Sequence, residues 1–202
     1  MINLICAIIM ASGFSKRMGK NKLLMKYNNK FLIEYTLNIV DECNFEKKIL
    51  VTQYNEIKEL GEKLNYKVVM NTSPYKGQSE SIKLGITNSP KCDGYMFFVG
   101  DQPLLNKNDI EKLIEVFKED KSYIVIPKYN NKQGNPVIYP SSYKEDILHL
   151  KGDKGGKSII KSSNKVKYVN VSENTLFDID NINDFNNFLE RKAENERRYS
   201  YS

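Results

Sequence analysis

The stretch Leu4–Lys26, LICAIIMASGFSKRMGKNKLLMK, decides how the rest of the 202-residue chain is read. Leu4 to Met10 is an unbroken apolar run, the length and composition of a strand buried on both faces. It ends in three small residues, Ala11-Ser12-Gly13, and then turns basic. Lys16, Arg17, Lys20, Lys22 and Lys26 follow, with no acidic residue between Ala11 and Phe31. Small residues let backbone N–H groups close on an anion, and Lys and Arg neutralise it, so a buried strand opening into such a loop suits a polyphosphate. A solvated basic loop would account for the charges but not for the order of the string. A Walker A loop and a G-x-G-x-x-G dinucleotide fingerprint are both absent from it.

A chain of this length with 40% hydrophobic residues has material for one core. We read residues 1–190 as one domain and 191–202, ERKAENERRYSYS less its first residue, as a charged tail that frays or is disordered. The net charge of +6 admits nucleic acid as a partner. Without zinc-finger spacing, an aromatic-interleaved basic strand or a recognition-helix pattern, a small polyanion is the better fit, and we expect no nucleic-acid partner. Cys6, Cys43 and Cys92 are odd in number and widely spaced, which gives no disulfide framework and points to a reducing, cytoplasmic compartment. No apolar run is long enough to span a bilayer, and no membrane association is expected.

Beyond the loop, apolar spacing predicts helices at Phe31–Val40, Tyr54–Leu64, Ser79–Thr87, Asn106–Asp120, Ser141–His149, Lys157–Ser162 and Ile182–Leu189. Strands are predicted at Lys48–Thr52, Tyr66–Met70, Gly94–Val99, Tyr123–Ile126, Val137–Tyr139 and Lys165–Val171. This alternation argues a three-layer αβα sandwich, α/β in class, with a mostly parallel, mixed sheet. Gly94–Val99 is nearly devoid of polar residues, hence central, and runs straight into Gly100-Asp101. Open α/β sheets hold ligands at such carboxyl ends, and a hard carboxylate there can hold Mg2+. Asp101 as a mere helix cap is the weaker reading, since Asn106 or Asn108 would serve better. In Phe177-Asp178-Ile179-Asp180, an extended backbone would put both carboxylates on one side, facing Asp101. Three such acids together call for a cation. The single histidine, His149, falls at a helix end and receives no catalytic role.

The ordered motifs resemble the signature of the nucleotidyltransferases, in the MobA-like NTP transferase branch that includes molybdenum cofactor cytidylyltransferase. Met10-Ala11-Ser12-Gly13-Phe14-Ser15-Lys16-Arg17-Met18-Gly19-Lys20-Asn21-Lys22 stands against the family's L-A-A-G-x-S-x-R-M-G-x-x-K. Gly77-Gln78-Ser79-x-Ser81-x-x-x-Gly85 stands against G-Q-S-x-S-L-x-x-G-L, and Gly100-Asp101-Gln102-Pro103 against G-D-Q-P. Gly134-Asn135-Pro136 falls in a proline-flanked segment similar to the family's, and Gly152-Asp153-Lys154-Gly155 resembles G-D-x-G-A-R. Asp178-Ile179-Asp180 resembles the start of D-I-D-T-P-E-D-F. The departures are Ser12 for Ala, which adds a hydroxyl close to the nucleotide, Asn131 where Gly is common, Asn135 where many relatives carry His, and Asn181-Ile182-Asn183 for T-P-E.

The resemblance implies a nucleotide-diphospho-sugar transferase (Rossmann-like) fold and a Mg2+-dependent transfer of CMP from CTP to a molybdopterin-type molybdenum cofactor, with release of pyrophosphate. GTP or another NTP, a different phosphorylated acceptor, or a non-catalytic role beside a molybdoenzyme are its alternatives, and contact with a molybdoenzyme is a further partnership it implies. By position it assigns Ala11, Ser12, Gly13, Arg17 and Lys22 to the nucleotide, the last two on its phosphates. Gly77, Gln78, Ser79 and Ser81 are assigned beside the base and ribose, and Gly100 to the nucleotide. Physical sense agrees, since Ser79 can cap its helix, a helix start presents free N–H groups, and Gln78 carries both a donor and an acceptor. Asp101, with Arg17 and Lys22, is assigned to catalysis, and Asp101 and Asp180 to the metal. Gly134, Asn135, Pro136 and Asp178 are assigned to the acceptor. Lys154 lies in a segment that reads equally as an acceptor phosphate site or as a flexible connection.

Overall fold

A computed structural model describes residues 4–15 and 18–200, the side chains of 194–200 excepted. Strand β1 (Ile5–Ala11) leads through the basic loop and a 3-10 turn into a small hairpin, β2 (Lys26–Tyr27) and β3 (Lys30–Phe31). Then come α1 (Leu32–Asp41), β4 (Lys47–Thr52), α2 (Asn55–Lys63), β5 (Lys67–Met70), α3 (Gln78–Thr87), β6 (Gly94–Val99) and α4 (Lys107–Glu119). The second half holds β7 (Ile124–Tyr129), β8 (Lys132–Gln133), β9 (Val137–Pro140), α5 (Lys144–Leu148), α6 (Lys157–Ser162), β10 (Val166–Asn170) and α7 (Ile182–Ser200). The β2–β3 hairpin has no counterpart among the predicted elements, because two-residue strands carry no periodicity.

The main sheet runs β10-β7-β9-β6-β1-β4-β5, with β8 hairpinned on β7. β1 pairs in parallel with β4 and β6, β4 with β5, and β7 with β10, while β9 is antiparallel to both β6 and β7. β1 is therefore central, and alternate residues serve opposite faces. Ile5, Ala7, Ile9 and Ala11 pack with residues of α1, α2 and α4, while Cys6 and Ile8 pack with Ile82 and Ile86 of α3, Ile147 of α5 and Ile159 of α6. Ile8 and Ile9 are both fully buried, each burial worth roughly 2 kcal/mol. The result is a three-layer αβα sandwich with a mostly parallel, mixed sheet. Cys6, Cys43 and Cys92 are all buried free thiols. Among the described residues no helix is long and apolar enough to cross a membrane.

The C-terminal helix corrects the expected boundary at Leu189. α7 continues to Ser200. Its charged residues are good helix formers, and the first of them have places to go. The Arg191 guanidinium donates to Asn174 Oδ1 at 2.7 Å and lies 4.9 Å from the centre of the Phe177 ring, and Lys192 lies 4.9 Å from the centre of the Tyr35 ring.

The segment leading to Asp178 and Asp180 hangs on a buried carboxylate. Asp109 of α4, 3% exposed, accepts at Oδ2 from the Ser172 N–H at 2.9 Å, the Ser172 hydroxyl at 2.7 Å and the Thr175 hydroxyl at 2.8 Å. Burial works to raise its pKa, but these bonds and the Lys112 ammonium outweigh it and hold the carboxyl below its ordinary value. Asp109→Ala should therefore cost about 2–4 kcal/mol by stranding three donors, read as a drop in the denaturant midpoint. Because the folded-state pKa is depressed, the Asp109 contribution is fully present above about pH 4, the ordinary Asp range, and is lost as pH falls through the folded value. The difference between wild type and variant should shrink in acid.

Candidate active site

Chain order puts β4 and β5 on one side of β1 and β6 on the other. The carboxyl ends of β1 and β6 thus flank a topological switch point, where open α/β sheets form a crevice. The loop after β1 and the Gly100-Asp101 turn after β6 line one wall of a cavity of about 470 Å3, and Pro74, Gly77, Gln78, Ser81 and Asp153 line another. Gly100 has to be small, since a Cβ there would lie 2.7 Å from Ile33 Cδ1.

The loop after β1 is anchored from behind by β4 and the two residues after it. Thr52 Oγ1 donates to the Ala11 carbonyl at 3.1 Å, Gln53 Nε2 to the Ser12 carbonyl at 2.7 Å and the Tyr54 hydroxyl to the Gly13 carbonyl at 2.8 Å. These bonds commit three successive carbonyls to the sheet side, which favours an anion on the other. Ser12 lines the cavity, but its hydroxyl donates to the Val51 carbonyl at 3.2 Å. Its proton is thus committed to the sheet, while the residue still borders the cavity. Gln53 and Tyr54 belong to no motif, and nothing in the sequence marked them.

At the centre sits Lys22. Its ammonium lies 2.5 Å from Asp101 Oδ2, 3.2 Å from Asp180 Oδ1 and 2.5 Å from the Ile179 carbonyl. Burial opposes its charge, but Asp101 and Asp180 outweigh this and raise its pKa. The other Asp101 oxygen, Oδ1, is buried without a hydrogen-bond partner among the described residues. Asp101 caps no helix, since Asn106 Oδ1 accepts from Asn108 and Asp109 N–H at the start of α4. Arg17 lies outside the described residues, and so does Lys16.

The start of α3 departs from expectation. Gly77, not Ser79, occupies the cap position, and Ser79 is the buried second residue of the helix and lines neither cavity. The Ser79 N–H donates to the Gly152 carbonyl at 3.0 Å and the Gln78 N–H to Asp153 Oδ1 at 3.3 Å. These two N–H groups are thus taken by the chain itself. Gly77 has φ +89°, and a Cβ there would run into Gly152 and Asp153 backbone, so only glycine allows this docking. Ser81 is buried, accepts from Asn71 Nδ2 at 3.2 Å and still lines the cavity.

A second cavity of about 570 Å3 adjoins the first and shares Met10, Gln78 and Asp153 with it. Gly134, Asn135 and Asp178 line it, with Ile82, Phe97 and Ile126 among its apolar residues. Pro136 does not, though it follows a cis peptide bond and the Asn135 carbonyl accepts from buried Gln102 Nε2 at 3.2 Å. Lys154 is exposed and lines neither cavity. Lys157 and Lys161 line the second one. Their i, i+4 spacing on α6 was a signal available in the sequence, and Asp153 stood in the G-D string beside Lys154.

Asp178 and Asp180 flank fully buried Ile179 but line different cavities, Asp178 the second and Asp180 the first. The expected triad of acids is therefore split. Burial first, then the charge of Asp101, pushes the Asp178 carboxyl up to about 6. Among the described residues no three His, Cys, Asp or Glu are placed to hold a metal. Asp101 and Asp180 still fit a hard divalent cation, because Mg2+ needs only one or two carboxylates beside substrate phosphates, and Asp101 Oδ1 is left over for one. His149 ends α5, its Nδ1 2.7 Å from the Glu145 carbonyl, and lines neither cavity.

A family model described as the MobA-like NTP transferase domain matches residues 7–167. The chain is 30% identical over 147 residues, 71% of its length and 70% of the relative's, to a probable molybdenum cofactor guanylyltransferase of Thermococcus sibiricus. It is 30% identical over 163 residues, 79% and 74% of the two lengths, to a protein of the same name from Clostridium perfringens. Both names specify guanylyl transfer, where the sequence motifs led us to expect cytidylyl transfer. Among solved structures, a nucleotidyl transferase from Methanothermobacter superposes with a TM-score of 0.83 at 21% identity, over 96% of this chain and 99% of that one. A Mycobacterium tuberculosis protein in complex with manganese superposes at 0.78 and 21% identity, over 93% and 99%. These likenesses show the nucleotide-diphospho-sugar transferase fold. The family match covers most of the chain, which therefore belongs to the MobA-like NTP transferase domain family.

Proposed function

We propose that the chain transfers a nucleoside monophosphate, GMP from GTP in the first place, to the terminal phosphate of a molybdopterin-type cofactor. The observation that carries the reading is the Lys22–Asp101–Asp180 centre in one cavity at the switch point, next to a second cavity that could seat the acceptor. The names of the relatives support GTP. The resemblance of the Met10–Lys22 loop to the cytidylyl branch supports CTP as the second reading.

In this reading an oxygen of the acceptor phosphate attacks the α-phosphorus in line. The bond from that phosphorus to the bridging oxygen breaks, and pyrophosphate leaves with the electron pair. No base is needed, because a phosphate nucleophile is already ionised. Positioning and charge do the rest. Arg17 and Lys22 would hold the triphosphate, the loop after β1 would wrap it, and Gln78 and Asp153 would stand where the two substrates meet. Mg2+ held by Asp101 and Asp180 would neutralise charge on the α-phosphate and the attacking group. Asp178, in the second cavity, would face the acceptor, with Gly134 and Asn135 beside it and Lys157 and Lys161 supplying positive charge in place of Lys154.

Calorimetry in Mg2+ should show GTP bound at least about tenfold tighter than CTP or ATP, a difference of about 1.4 kcal/mol. CTP preference would return the protein to the cytidylyl reading, and binding of none of the three would reject a nucleotide site here. Asp101→Ala should slow pyrophosphate release at least about 100-fold, the scale of a lost electrostatic stabiliser, with its circular dichroism unchanged. Turnover near wild type would remove Asp101 from the mechanism.

A further inference from the structure

The three oxygens around Lys22 are the kind a divalent cation would use, two carboxylates and a main-chain carbonyl. An ammonium has three N–H bonds, and all three have an oxygen here within 3.2 Å. In this arrangement Lys22 has no donor left for a phosphate. Its main chain is fixed, with Lys22 N–H on Ser15 Oγ at 3.2 Å, Leu23 N–H on Asn21 Oδ1 at 3.1 Å, and the Leu23 side chain buried. Only the flexible stem is free to swing. We infer that Lys22 is an exchangeable counter-ion, which holds Asp101 and Asp180 in the substrate-free chain and is released to the triphosphate when a divalent cation takes them.

The inference rests on the metal site of the proposed function. It adds that the same lysine serves both sides of loading. In the substrate-free chain it sets one positive charge against both carboxylates. With it, a cation alone has to displace an ammonium, so it binds weakly. Cation and triphosphate together bind cooperatively, because the displaced ammonium then gains phosphate oxygens. Such coupling is reciprocal between the two ligands, and it makes an empty site reluctant to collect metal before substrate arrives.

The test uses Mn2+ alone, with no nucleotide, titrated calorimetrically into wild type, Lys22→Met and Asp101→Asn. Lys22→Met should bind Mn2+ at least about tenfold tighter than wild type, within the usual range of site coupling, while Asp101→Asn should lose binding. Lys22→Met should also melt below wild type without metal and recover with Mn2+. An affinity within twofold of wild type in Lys22→Met, with binding still lost in Asp101→Asn, overturns the exchange and leaves the metal site intact. Undiminished binding by Asp101→Asn overturns the metal site itself. A wild-type measurement covers the case in which Lys22→Met fails to fold. Acylation of Lys22, followed by peptide mass spectrometry, should speed up severalfold when Mn2+ is added, and an unchanged rate overturns the exchange.

Discussion

One ammonium ties together three parts of the chain that are distant in sequence. Lys22 follows the first strand, Asp101 follows the sixth, and Ile179 and Asp180 precede the last helix. The contact is largely withdrawn from water, with the Lys22 side chain 13% exposed and Asp101 18%. Removing Lys22 would leave the largely buried Asp101 carboxylate poorly compensated. The Ile179 N–H bond to the Asp101 carbonyl, 3.0 Å, closes the same link through the main chain.

The segment that supplies Ile179 and Asp180 has no strand of its own. Asp109 gathers the Ser172 and Thr175 donors, Lys132 Nζ donates to the Leu176 carbonyl, and Arg191 reaches back to Asn174 and Phe177. Asp184 then accepts from the Asp180 and Asn181 N–H groups at 2.9 and 3.0 Å, which closes the start of α7. An irregular segment held at this many points sets one carboxylate in each of two adjoining cavities, with a buried isoleucine between them in the chain. That divides the charge between two cavities without a regular element to do it.

The second division is made by the start of α3. Glycine at position 77 lets the helix dock on the Gly152–Asp153 backbone, and Gln78 and Asp153 then face both cavities. Two substrates brought to such a partition would meet across it, which is what a transfer between them requires. The docking uses N–H groups that an isolated helix start would offer to a ligand, so the anion is left to the loop after β1 and to lysines.

The layers and the central strands were legible in the sequence, because a buried parallel strand must be apolar throughout and a covering helix must repeat at its own period. The runs Leu4–Met10 and Gly94–Val99 could hardly be anything else, and the motif order pointed to the crevice between them. Other features depended on long-range pairing, to which no local pattern is sensitive. The Ser12 hydroxyl donates to Val51, the Ser79 N–H donates to Gly152, and Asp178 and Asp180 line different cavities, each an arrangement set by residues distant in the sequence. Helix α7 outran its apolar pattern because Arg191 and Lys192 found aromatic rings only the folded chain brings to them. Residue types and their order thus determined which chemistry is available. Tertiary structure alone decided which oxygen faces which cation, since a side chain's charge is local but the partner that neutralises it is not.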